Sequence, residues 1–119
     1  MISIDDSNKV MFSKENIKVI KNMIHVLNNY QDDVTSKELN DKIFKKKSKL
    51  LMDLAQFYYY SKKYDKADNI YDDIRYEILN LKGTIKFIEL YKQCCIQHLE
   101  TLISKKHYYK AFILYETVC

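Results

Sequence analysis

The stretch LMDLAQFYYYSKKYDKADNIY, residues 51–71, carries most of the information about the fold, because small and aromatic side chains recur in it at helical spacings. Ala55 and Ala67 are small, and a small side chain allows two helix backbones to approach closely. Tyr58 and Tyr71 follow these alanines by three and four residues, where a large ring fills the space beside such a contact. The stretch therefore predicts two packed helices joined by a short polar turn.

The same residues resemble the tetratricopeptide (TPR) repeat. That pattern is a large apolar residue, then Leu-Gly, then Tyr, and later an Ala followed after four residues by an aromatic ring. Its positions are occupied here by Leu51, Leu54, Ala55, Tyr58, Ala67 and Tyr71, with Ala55 in place of the usual Gly and Leu79 in place of the usual Pro. The resemblance implies a right-handed array of helical hairpins.

Part of this pattern occurs a second time, 44 residues later. The residues Tyr64, Ala67 and Tyr71 recur as Tyr108, Ala111 and Tyr115. A standard TPR repeats after about 34 residues, so the longer period implies longer helices. Such stretched repeats are similar to the helical part of PCI-type subunits in the proteasome lid, the signalosome and the translation initiation scaffold. The helix before the second copy departs from the pattern at His98 and Leu99.

The composition favours helices throughout. The chain has 119 residues, 47% of them hydrophobic, with one Gly and no Pro to interrupt a helix. We predict an all-α fold, a compact right-handed array of about five helices, with residues 1–12 as a polar arm and 13–119 as a single TPR-like domain. The predicted helices span about 13–30, 35–61, 64–81, 84–105 and 108–118.

Local features of the sequence predict where these helices begin, where they end and which of their faces are covered. Val19, Met23 and Val26 widen the apolar stripe of the first helix, which predicts that it is covered on more than one side. Thr35 and Glu38 form a capping-box pattern at the start of the second helix. The lysine run at 45–49 lies on a solvated face or breaks that helix.

The fourth helix is expected to begin at Thr84, which caps it, and to carry Ile85 in its apolar stripe. Gly83, just before it, is expected to adopt a positive φ.

Charge and cysteine usage restrict the class of protein. A net charge of +4 is a mild excess, below what a dedicated nucleic-acid binder carries. Neither a signal-peptide pattern nor an apolar run of about 20 residues is present in the sequence. We expect no membrane contact and a cytoplasmic location, with the nucleus as the alternative. Cys94, Cys95 and Cys119 lack metal-ligand spacing and are expected to be free thiols.

The polar residues do not form a recognisable catalytic pattern. His25, His98 and His107 lie far apart, and none has a partner at the i,i+4 spacing of metal-binding helices. The pairs Asp32–Asp33 and Asp72–Asp73 are neighbours whose side chains diverge on a helix, which is typical of a solvated face. We therefore expect no enzyme activity, catalytic residue, cofactor or metal.

The residues left over from the core indicate a binding surface. In TPR proteins the inner helix of each hairpin lines a groove, and the matching positions here are Lys49, Met52, Gln56, Tyr59 and Tyr60. Phe112, Leu114, Tyr115 and Val118 are expected to leave apolar surface open at the far end, unless the first or second helix packs back over them. We expect a non-catalytic protein–protein interaction module with Phe112 and Tyr115 in contact with a partner, as a small subunit or adaptor of a larger intracellular assembly.

The lysines support a second hypothesis. Lys45, Lys46 and Lys47 offer charge for phosphate or for an acidic protein surface. Aromatic residues do not interleave with them, which disfavours single-strand stacking. The alternative function is a basic helical factor that docks on RNA or on a ribonucleoprotein such as the ribosome.

Overall fold

The structure, a computed structural model, describes the backbone of residues 3–4, 10–11, 14–32 and 36–118, and the side chains of residues 15–31 and 36–117. Five α-helices follow a two-residue ladder in which β1 (Ser3–Ile4) pairs antiparallel with β2 (Val10–Met11). The helices are α1 (Lys14–Asp32), α2 (Lys37–Tyr60), α3 (Tyr64–Glu77), α4 (Ile88–Ser104) and α5 (Tyr108–Val118). The predicted all-α class is confirmed for the described residues, apart from this ladder.

The chain divides into two units, Met1–Phe57 and Tyr58–Cys119, with the boundary inside α2. The proposed arm at 1–12 and single domain at 13–119 stay predictions. None of the helices in the described ranges is both long and apolar enough to cross a membrane.

In the first unit, α1 buries one narrow stripe. Ile17 and Ile20 are buried, as the spacing predicted. The expectation that α1 is covered on more than one side was wrong, because the residues that widen its stripe are exposed. These are Val19, Met23 and Val26. The i,i+3/i+4 pattern identifies a helix face, but how much of that face is covered depends on contacts distant in sequence.

Helix α2 is continuous through the lysine run. The backbone N–H of Leu39 donates to Ser36 Oγ at 3.4 Å, so Ser36 is the N-cap, one residue later than the pattern suggested. Thr35 lies outside the described residues. The buried positions of α2 follow one face. They are Ile43, Phe44, Ser48, Met52, Leu54 and Ala55.

In the second unit, the turn between α2 and α3 is a Schellman motif. The N–H of Lys63 donates to the carbonyl of Tyr58 at 2.8 Å, and the N–H of Lys62 donates to that of Tyr59 at 3.0 Å. Lys62 adopts the left-handed conformation that this motif requires, with φ at +61°. At its C-terminal end, helix α3 continues into a π-helical turn, Ile78–Lys82. This turn ends at Gly83, whose φ of +101° is positive as predicted.

The start of α4 differs from the prediction. Helix α4 begins after Phe87, which forms no side-chain capping hydrogen bond. Thr84 and Ile85 lie in the turn before it, and Ile85 is 92% exposed rather than part of the apolar stripe. The preceding helical segment ends at Lys82, close to the predicted end, so the later start of α4 reflects the turn at residues 84–87.

The turn between α4 and α5 repeats the backbone of the earlier turn, 44 residues later. The N–H of His107 donates to the carbonyl of Leu102 at 2.8 Å, and the N–H of Lys106 donates to that of Ile103 at 3.0 Å. Lys106 is left-handed, with φ at +63°. The offset read from the aromatic residues therefore applies also to the hydrogen bonds of the two turns. In this unit α3 packs on α4, and α4 packs on α5.

Candidate interaction surfaces and the buried polar cluster

Helix α5 buries little of its apolar surface. Among its described side chains only Ala111 and Leu114 are buried, and both are apolar. The large exposed side chains of α5 are Tyr108, Tyr109, Phe112, Ile113 and Tyr115. Tyr108, Phe112 and Tyr115 have the i, i+4, i+7 spacing that places them on one face. We call these three residues the α5 aromatic face.

The matching positions of α3 are covered by α4. Tyr71, the counterpart of Tyr115, is 1% exposed and donates its hydroxyl to Gln97 Oε1 of α4 at 3.1 Å. Asp68, the counterpart of Phe112, is buried against His98 of α4. Phe112 and Tyr115 are instead 58% and 55% exposed. Thus α5 presents to solvent the positions that α3 uses to hold the next helix.

The predicted row on α2 is only partly accessible. Lys49 and Tyr60 are exposed, and Gln56 and Tyr59 are half-buried. Met52 is 2% exposed, so the expectation that it meets a partner does not hold in this conformation. Its position on the groove-lining face followed from the TPR resemblance, but in the structure it lies on the buried face of α2.

Tyr59 has a packing role within the second unit. Its ring lies 5.2 Å from that of Tyr60 and 5.6 Å from that of Tyr64, both edge-on. Its hydroxyl lies 3.0 Å from Ser104 Oγ, within hydrogen-bond distance. Of the two α2 tyrosines predicted to bind a partner, only Tyr60 is thus presented mainly to solvent.

A buried polar cluster joins α3, α4 and α5. His98 has no exposed surface, and its Nε2 lies 2.6 Å from Asp68 Oδ1. Lys110 Nζ donates to Asp68 Oδ1 at 2.9 Å and to Asp72 Oδ2 at 2.6 Å. Lys105 Nζ donates to Asp68 Oδ2 at 3.2 Å and pairs with Asp65 Oδ1 at 2.6 Å. We call this set of residues the Asp68 cluster.

The pKa values in the cluster follow from these contacts. Burial alone would raise the pKa of Asp68, but the hydrogen bonds from His98, Lys110 and Lys105 outweigh it and lower the pKa to about 2. Burial lowers the pKa of His98, although Asp68 and Asp72 oppose the shift. A neutral imidazole that donates from Nε2 leaves Nδ1 unprotonated, and Nδ1 is buried with no hydrogen-bond partner in the described part of the chain. Protonation would add a buried N–H without an acceptor there.

Sequence reasoning missed the Asp68 cluster. It treated Asp72 as part of a solvated face and His98 as a weak match to the repeat. One signal was available, because Asp68 and Asp72 have i,i+4 spacing and Asp68 directly follows the buried Ala67. His98 lies between the apolar Cys94 and Leu102, again at i,i+4 spacing on the stripe of α4. A polar residue on a buried stripe needs a partner, but the sequence does not name that partner.

The three potential ligands Asp68, Asp72 and His98 lie close enough together to bind a metal ion. However, the ammonium groups of Lys105 and Lys110 already bind both carboxylates. An ion at this place would have to displace Lys110, so the cluster fits a structural network better. The absence of a metal stays a prediction.

The buried thiols of α4 are poor nucleophiles. Cys94 and Cys95 are free and have no exposed surface. Burial raises the pKa of the Cys94 thiol to about 12 and also raises that of Cys95. Cys119 lies outside the described residues, as does the side chain of Val118.

The lysine run divides between two faces of α2. Lys45 and Lys46 are exposed, together with Lys42 and Lys49. Lys47 is half-buried, and its Nζ donates to Gln31 Oε1 of α1 at 3.4 Å. The structure therefore separates Lys47 from the other lysines with which the sequence had grouped it.

No protein-family model, curated protein or solved structure matches this chain.

Proposed function

We propose that this protein is a non-catalytic protein–protein interaction module, a small subunit or adaptor of a larger intracellular assembly, and that a helix of its partner packs on the α5 aromatic face. The observation that carries the proposal is the difference between α3 and α5. On α3, Asp68 and Tyr71 are covered by α4, whereas the equivalent positions of α5, Phe112 and Tyr115, are exposed.

The α5 aromatic face has the chemistry of an interface centre. Each aromatic side chain can bury roughly 150–250 Å², and Tyr is among the residues that most often dominate binding energy. Single exposed apolar residues are common on proteins, whereas contiguous apolar patches mark interaction sites. Here three large rings lie on one helix face, and Ile103, near the end of the preceding helix, is also exposed.

The arrangement of α3 and α4 indicates the shape of the partner. Helix α4 covers α3 through a small residue and ring contacts, since Cys94 lies against Tyr71 and the ring of His98 lies 5.5 Å from that of Tyr71. A partner helix with small and medium side chains along one face would meet Phe112 and Tyr115 in the same way. We further propose that α3–α5 follow the stretched TPR pattern, which the matching hydrogen bonds of the two turns support.

The test compares the proteins captured from lysate of the source cells by tagged variants. The change Phe112→Ser with Tyr115→Ser should abolish capture of the partner, because it removes two rings that the fold does not bury. The matched control is Tyr76→Ser with Ile85→Ser, which removes two exposed apolar side chains elsewhere in the same unit. Both variants should keep the helical circular dichroism of the wild type.

The readout is the set of proteins retained by the wild type and the control but lost from the α5 variant, with RNase present in all samples. An identical set in all three samples would contradict the proposal. Tyr60→Ser tests the predicted α2 row separately, because Tyr60 is exposed while Tyr59 contacts Tyr64 and Ser104. If Tyr60→Ser alone removes the partner, the interface lies on α2 and not on α5.

A further inference from the structure

Four lysines of α2 form a single exposed stripe. Lys42, Lys45, Lys46 and Lys49 have the i, i+3, i+4, i+7 spacing of one helix face. With Leu50 they line a shallow hollow of about 480 Å³. The residues at the ends of the stripe lie about 10 Å apart along the helix axis. We call these four residues the α2 lysine stripe.

The four ammonium groups of the stripe are not held in ion pairs by the residues that the structure describes, although Glu38, Asp41 and Asp53 each lie four residues from one of these lysines on α2. No ion pair or hydrogen bond joins any of the four lysines to another side chain in the described ranges 15–31 and 36–117. Two lysines of the second unit, Lys105 and Lys110, behave differently, since each is paired with two aspartates. In the Asp68 cluster the lysine charges are therefore paired with aspartates. The four lysines of the α2 lysine stripe remain able to pair with a ligand.

The composition of the stripe favours phosphate over carboxylate. The planar fork of Arg suits bidentate pairing with carboxylate and phosphate alike, whereas Lys, the residue of this stripe, is a flexible point charge that commonly binds phosphate. The centre of a protein interface is usually apolar and aromatic, but among the described residues that line the hollow only the half-buried Leu50 is apolar. Without an aromatic ring the stripe also lacks the stacking platform that single-stranded nucleic acids need.

We propose that the α2 lysine stripe binds the phosphate backbone of a nucleic-acid duplex without reading its sequence. One duplex strand presents a phosphate about every 3.4 Å along the axis, so a stripe of about 10 Å faces roughly three. Flexible lysine stems can reach phosphates on either side of that path. Binding then depends on the release of condensed counterions and is steeply sensitive to salt.

The test measures binding of the full chain to a fluorescein-labelled 20-base-pair RNA duplex by anisotropy, at NaCl concentrations between 25 and 200 mM. The wild type should give a slope of log K against log salt of about −3 to −4, as expected for up to four phosphate contacts. Lys45→Gln with Lys46→Gln should reduce the magnitude of that slope by about 2 and weaken binding at least tenfold at 50 mM NaCl. A second duplex of unrelated sequence should bind equally well.

Two controls identify the surface. Lys62→Gln with Lys63→Gln removes the same charge from another adjacent, exposed lysine pair and should leave affinity within twofold of the wild type. Lys47→Gln, next to the stripe but directed towards Gln31, should do the same. Equal losses in the Lys45/Lys46 and Lys62/Lys63 variants would overturn the proposal, because net charge alone would then explain binding.

Competition distinguishes the class of ligand. Poly-glutamate or a single-stranded RNA of equal charge should displace the labelled duplex only at a higher concentration than unlabelled duplex. If poly-glutamate competes better, the stripe recognises an acidic protein. Better competition by the single strand, or no duplex binding at 25 mM NaCl, would likewise overturn the proposal.

Discussion

Individual side chains in the second unit are constrained by the space and the charge around them. Ala67 has no exposed surface, and Ala111 is also buried. Both precede a ring by four residues, but Tyr71 is covered while Tyr115 is not. The size of the alanine is thus set by packing, whereas the ring that follows lies in the core in one copy and is exposed in the other.

Enlarging Ala67 should destabilise the protein. We expect Ala67→Leu to lower the free energy of unfolding by about 1–3 kcal/mol, because extra methyl groups in a packed site force side chains and backbone to shift. Urea denaturation followed by circular dichroism measures this. Asn69→Leu introduces the same side chain at an exposed position of α3 and should change stability by less than about 0.5 kcal/mol. Equal effects of the two variants would contradict the close packing at Ala67.

Among the elements, the two Schellman turns are the most regular feature of the chain. Each ends a helix with a lysine in the left-handed conformation, Lys62 in the first turn and Lys106 in the second. Glycine is the usual residue there because a Cβ atom is strained at positive φ. The hydrogen bonds of both turns form in spite of this strain, so the turn geometry is enforced by the helices that meet there.

Replacing either of these lysines by glycine should stabilise the protein. We expect Lys62→Gly and Lys106→Gly each to raise the free energy of unfolding by about 0.5–1 kcal/mol, since the relief of strain exceeds the entropy added to the unfolded chain. Thermal denaturation at fixed pH gives the change in Tm.

The adjacent Lys63 provides the control for this prediction. Its φ is −95°, a negative value outside the left-handed region that favours glycine. Lys63→Gly should therefore give no gain in Tm. A gain in all three variants would show that the loss of positive charge at the turns, and not the relief of backbone strain, is responsible.

For the molecule as a whole, the Asp68 cluster couples stability to pH. The pKa of His98 is lower in the folded protein than in the unfolded chain, so the unfolded chain binds a proton first as the pH falls. The contribution of His98 is therefore complete above about pH 6.5 and is lost as the pH falls below that value. The pKa of Asp68 is also lowered, to about 2 from 3.8, and its contribution is lost between about pH 4 and pH 2.

We expect stability to decrease in two steps on acidification, one below about pH 6.5 and one below about pH 4. Urea denaturation at a series of pH values measures both steps. His98→Gln should remove the upper step and keep the lower one. A direct readout is the NMR titration of His98 in the folded protein, which should show an Nε2–H tautomer and a pKa below 6.5. A stability that increases between pH 7 and pH 5 would contradict this assignment.

Features that depend on neighbouring residues could be predicted from the sequence. The five helices lie close to the predicted ranges, Gly83 has its positive φ, and the alanines at 55, 67 and 111 are buried. These features follow from i,i+3 and i,i+4 spacing and from turn chemistry, which act within a few residues. The 44-residue offset also holds for the backbone of the two turns, because the same local signals are present in both.

Features that depend on contacts between distant residues could not be predicted in this way. The sequence does not indicate that Met52 faces inward, that Val26 faces solvent, or that Lys47 separates from the lysines beside it. The sequence also does not indicate that Asp68 contacts His98, 30 residues away, or that Lys110 contacts both Asp68 and Asp72. Such pairings arise when helices pack, and packing is a sum of many weak contacts that no short pattern encodes. Local spacing therefore sets where helices form and turn, while helix packing sets which of their residues remain free to bind.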